Sequence, residues 1–62
     1  MTIFKIMTKH NNKERFRKCF TTTDVKCANL IAINEAKQPY MKAVKIIATD
    51  DNGVVNEIIY KG

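Results

Sequence analysis

His10, Cys19 and Cys27 are the residues whose types could bind zinc or supply a nucleophile with its base. Structural zinc takes four close ligands, often from paired Cys-x-x-Cys motifs. Here seven residues separate the two cysteines and no fourth ligand is evident, so the pattern reads as a turn histidine and two small apolar thiols. A cysteine nucleophile needs a base held against it. The only histidine sits beside Asn11 and Asn12, in what reads as a loop tip. Asp50-Asp51-Asn52-Gly53 offers oxygens of the kind calcium uses. A calcium loop, however, needs a ligand at its fifth position and a glutamate at its twelfth, where this chain has Val54 and Lys61. Asp50 and Asp51 are also the only adjacent carboxylates, and a turn leaves them solvated. One interior glycine, Gly53, cannot build a phosphate-cradling loop. We therefore expect no metal, no cofactor, no small-molecule substrate and no catalysis.

Charge is the stronger signal. Residues 1–18 carry Lys5, Lys9, Lys13, Arg15, Arg17 and Lys18 against Glu14 alone, whereas residues 19–62 balance five lysines against five carboxylates. The whole net charge of +5 thus lies in the first third of the chain. An A+T-rich genome explains why Lys, Asn and Ile make 23 of 62 residues, but it does not place the excess cations in one segment. That asymmetry points to an acidic partner: nucleic acid, an anionic surface or an acidic protein.

These cations need elements to position them. Residues 2–9 alternate Phe4, Ile6 and Thr8 with Lys5, Met7 and Lys9, the period of a half-buried strand. His10-Asn11-Asn12 is a turn cluster. Residues 14–21 read as a second strand, with Phe16, Lys18 and Phe20 on one face and Arg15, Arg17 and Cys19 on the other. A loop of three or five residues puts Phe16 and Phe20 on the same side as Phe4 and Ile6. Thr23 reads as an N-cap, with Asp24 in the first turn of a helix over 24–38 that ends before Pro39. Ala28, Ala32 and Ala36 recur every four residues and allow close approach to a sheet. Residues 40–49 and 54–61 are β-branched runs around Asn52-Gly53, a strong hairpin signal. A type I turn closed by a glycine bulge pairs Ile46 with Ile58 and Val44 with Tyr60. A two-residue turn instead pairs Ile47 with Ile58.

The order ββαββ predicts an α+β fold: one domain over 1–62, with a four-stranded antiparallel sheet and one helix packed on one face. The inner face is expected to hold Phe4, Ile6, Phe16, Phe20, Val44, Ile46, Ile58 and Tyr60. Ile3, Met7, Ile47, Val55 and Ile59 then point to the uncovered side and form a protein interface, to a partner or to a second copy in a homodimer. Lys5, Lys9, Arg15 and Arg17 share the outward face of the first hairpin, with Lys13 at its turn. Such a ribbon contacts phosphates or an acidic partner. It lacks the interleaved aromatics with which single-strand binders stack bases. Lysines on a strand also serve simply to block sheet-to-sheet aggregation.

The first nine residues hold no apolar run of secretory length and no stretch suits a membrane span, so we expect a cytoplasmic protein with free thiols and no membrane partner. The expected function is that of a small non-enzymatic binding protein, a regulator or inhibitor acting by protein–protein contact. Its size suits a phage or mobile-element accessory protein. The alternative is a nucleic-acid-binding module that uses the basic hairpin.

Overall fold

The alternating segments become four strands and one helix in a computed structural model that describes residues 1–11 and 13–62. The elements are β1 (Ile3–Lys9), β2 (Arg17–Thr22), α1 (Val25–Ala36), β3 (Ala43–Thr49) and β4 (Val55–Lys61). All neighbours pair antiparallel, in the order β2-β1-β3-β4. The α+β fold with ββαββ order is thus present.

β1 and β3 form the centre of the sheet in unbroken register, Phe4 opposite Ala48, Ile6 opposite Ile46 and Thr8 opposite Val44. These residues face α1. Ala28 and Ala32 are fully buried on the helix, against Ile6, Val44 and Ile46. Small side chains here let α1 sit close to the sheet. Met41, just before β3, closes the core. The expected strand over 40–49 therefore starts three residues later, at Ala43. The backbone N–H of Lys42 donates to the Lys9 carbonyl at 2.8 Å, and the segment before it turns to deliver Met41 inward.

The helix is capped by Asp24 rather than Thr23. The Asp24 carboxylate accepts from the N–H groups of Lys26, at 2.9 Å, and Cys27, at 3.4 Å, while the Thr22 hydroxyl accepts from Asp24 N–H. The helix ends at Ala36 with Lys37 as C-cap, two residues short of the expected end.

The β3–β4 turn is the type I turn closed by a glycine bulge. Gly53 has φ +80°, its N–H donates to the Asp50 carbonyl, and Asp50 N–H donates to the carbonyl of Val54. Ile46 pairs with Ile58. Val44 pairs with Lys61 rather than Tyr60, because Tyr60 is an extra residue in a bulge. Left unpaired, Tyr60 packs against the core, and its hydroxyl donates to Asn29 Oδ1 at 2.6 Å.

The β1–β2 hairpin departs further from expectation. Its connection runs over residues 10–16, where the Asn11 side chain accepts from the N–H groups of Lys13 and Glu14. The expected turn cluster includes Asn12, which lies outside the described residues. Phe20 is opposite Ile6 but Lys18 is opposite Met7, so Cys19 is a bulge. Every residue before it changes sides. Lys18 joins the face away from α1, and Arg17, opposite Thr8, joins the helix side. Phe16 leaves the expected core and lies on the open face, its ring 5.3 Å from Lys9 Nζ and 4.3 Å from Lys45 Nζ. The reason lies in the width of the helix. Four strands span about 14 Å between outer axes, while a helix is about 10 Å across. Phe20 remains 43% exposed beside α1. A second phenyl ring on that side of β2 would find little cover, whereas the open face leaves Phe16 half-buried.

Candidate functional site

The uncovered face is built from the outward-pointing half of each strand. Three cross-strand rows define it. The first runs Ile3, Thr49, Val55; the second Thr21, Lys5, Ile47, Glu57; the third Lys18, Met7, Lys45, Ile59. Ile3, Met7, Ile47, Val55 and Ile59 all lie on this face, away from α1. Val55 is 56% exposed and Ile59 68%, so β4 contributes apolar surface that its own fold leaves in water. Met7 and Ile47, on the central strands, are half-buried.

The five expected cations are not gathered on one side. Lys5 and Lys9 stand on the open face of β1. Arg17 is on the helix side of the sheet, 3.9 Å from Glu14. Lys13 and Arg15 sit exposed in the connecting loop. The shared outward face expected for Lys5, Lys9, Arg15 and Arg17 therefore does not form, because the Cys19 bulge reverses the alternation of β2. Two cations not singled out from the sequence take Arg17's place. Lys18 crosses to the open face through the bulge. Lys45 was legible, since Val44 and Ile46 point inward and the residue between them must point out.

Lys45 organises the middle of the face. Its Nζ donates to Glu57 Oε1 at 2.8 Å on one side and lies over the Phe16 ring on the other. Lys9 approaches the same ring. A cation over a phenyl face is attracted by the ring quadrupole. The chain Glu57–Lys45–Phe16–Lys9 thus crosses the sheet from β4 to the start of β2. Glu57 is the one carboxylate in the three rows, so their β1–β2 half carries Lys5 and Lys18 with no acid among the described residues, and Lys9, opposite Ala43, extends it beyond the third row. The β3–β4 half carries Ile47, Val55 and Ile59. The apolar and the basic surfaces are two halves of one face.

The other side of the sheet has an open groove of about 200 Å³ between α1 and β4, lined by Phe4, Val25, Lys26, Asn29, Ile46, Ile58 and Tyr60. It exists because one helix does not reach the edge strand. It is smaller than ordinary small-molecule sites.

Among the described residues, no group of three His, Cys, Asp or Glu side chains is close enough to hold a metal. The His10 ring stacks on Tyr40, with centroids 5.6 Å apart. Cys19 and Cys27 are free thiols. Partial burial, and secondarily the Glu35 carboxylate, raise the Cys19 thiol above its ordinary value. No helix among the described residues is long and apolar enough to cross a membrane.

Comparison of the chain with protein-family models, curated proteins and solved structures found no match.

Proposed function

We propose that this chain is a non-enzymatic protein-binding module, a regulator or inhibitor working in the cytoplasm, that docks its open sheet face on a protein with an apolar patch bordered by carboxylates. One observation carries the reading: exposed isoleucine and valine on β3–β4 adjoin unpaired lysines on β1–β2 within a single uncovered surface. Interfaces commonly set an apolar centre inside a polar rim. The lysine side would speed encounter with an acidic target and disfavour others. Charge also argues against two copies stacking face to face, since that would set one lysine field against another.

The test is affinity capture from the source organism, with the wild-type chain beside a Lys5→Glu, Lys18→Glu pair and an Ile59→Asp variant. The expected result is an acidic protein held by the wild type, released by moderate salt and lost with either variant. Equal retention by both variants would move the binding surface elsewhere.

A second reading is favoured by the position of Phe16. The open face now holds an aromatic ring among cations, the pairing that stacks bases and tracks a phosphate backbone. In this reading Lys5, Lys9 and Lys18 on the face and Lys13 and Arg15 in its adjoining loop contact phosphates, and Arg17, on the helix side, drops out of the expected set. It ranks second because there is one ring, half-buried, and two lysines already occupy it. Binding of single-stranded DNA or RNA that weakens steeply between about 50 and 200 mM salt, and is lost in Phe16→Ala, would raise it to first.

A further inference from the structure

The two edges of the sheet are built differently. β2 carries Arg17 and Lys18 and is broken by the Cys19 bulge, which are the usual devices against strand addition. β4 has neither over most of its length. Val55 to Ile59 are all exposed, without a proline or lysine, and the Tyr60 bulge comes only at the far end. β4 also carries exposed apolar side chains on both faces, beside Asn56 on one and Glu57 on the other. Ile58 is 46% exposed toward the helix side, and Val55 and Ile59 are exposed on the other. The single charge in this stretch, Glu57, is held by Lys45 of the same chain.

We propose that β4 pairs with β4 of a second copy, antiparallel about a two-fold axis through Ile58, to make a continuous eight-stranded sheet. The turn sets which groups are free to pair. Asp50 N–H bonds the Val54 carbonyl, so strict alternation along the ladder aims the N–H and C=O groups of Asn56 and Ile58 at β3. The same groups of Val55, Glu57 and Ile59 point outward. A two-fold axis at Ile58 sets Glu57 of each copy against Ile59 of the other, where outward groups meet outward groups. The two Ile58 side chains form the close, non-hydrogen-bonded pair on the helix side, beside the groove between α1 and β4. An axis at Glu57 would set carboxylate against carboxylate. Pairing β4 with β2 of another copy meets the bulge and leaves open ends that grow into chains. The second copy therefore completes this edge by symmetry. On the open face it sets Ile59 of each copy beside Glu57 of the other, which continues the Ile47–Glu57 row across the two-fold axis between two lysine-bearing wings. The pairing stands independently of what that face binds.

One strand on one strand buries less than the roughly 1,600 Å² of a standard interface, so association is weak. Sedimentation of the wild-type chain from about 10 µM to about 1 mM should show monomer giving way to dimer. Amide exchange over the same range should slow about tenfold at Glu57 and Ile59 and stay constant at Lys5 and Met7. Ile58→Lys sets two like charges on the axis and should keep the chain monomeric. Ile59→Pro removes one outward N–H and should do the same without adding charge. A monomer at the highest concentration, or a dimer whose Glu57 and Ile59 amides exchange as in the monomer, overturns the proposal. Because no other partner is present, neither result bears on the capture experiment.

Discussion

The two faces of the sheet use the same strands and opposite chemistry. Toward α1, Ile6, Val44, Ala28 and Ala32 are fully buried and Ile46 nearly so. On the other side, residues one position away in sequence, Lys5, Met7, Lys45 and Ile47, stay wholly or partly in water. A strand changes face at every residue, so a short chain can assign stability to one set of positions and contact to the next. The cost is a thin core: six buried residues form it among the described residues.

That division is open to direct attack. Ile6→Ala should cost about 2–5 kcal/mol, a large part of what a domain of this length has. Ile59→Ser on the open face should cost within about 0.5 kcal/mol in dilute solution. Urea unfolding of both variants measures the contrast, and equal losses would mean that the open face is covered.

A smaller effect tests how α1 is held on the covered face. Asp24→Ala should cost about 1 kcal/mol, because its carboxylate accepts from two otherwise unpartnered helix N–H groups. Thr23→Ala should change stability little. The reverse ranking would return the cap to Thr23.

The smallest effect is pH-dependent and sits at the rim of the covered face. The folded chain holds the Cys19 proton more tightly than the unfolded chain does. The resulting stability is present below the ordinary thiol value of 9.0 and is lost as pH rises through the higher folded value. Alkylation followed by peptide mapping should place the onset of Cys19 reactivity above that of a free thiol. Glu35→Gln should lower it only in part, since burial is the larger cause. An onset at the free-thiol position would show that the bulge leaves Cys19 fully in water.

Much of this architecture was legible from local rules. Asn52-Gly53 between β-branched runs specified the second hairpin and narrowed its register to two, because a left-handed glycine permits few turn geometries; the folded chain takes the one that pairs Ile46 with Ile58. The outward position of Ile3, Met7, Ile47, Val55 and Ile59 followed from alternation alone. The first hairpin had no such anchor. Its connection lacks glycine, and nothing local marks Cys19 as an unpaired residue.

From its sequence alone, then, this protein had its element order, its single helix and the apolar character of its uncovered face. Pattern and turn chemistry act over a few residues and suffice for those. The side on which Phe16, Arg17 and Lys18 lie was decided only in the folded chain. There a helix too narrow for the sheet leaves Phe20 half in water, and Phe16 finds cover against Lys9 and Lys45 on the opposite face. One inserted residue in a strand reverses all that precede it, and whether it is inserted depends on packing between segments distant in sequence.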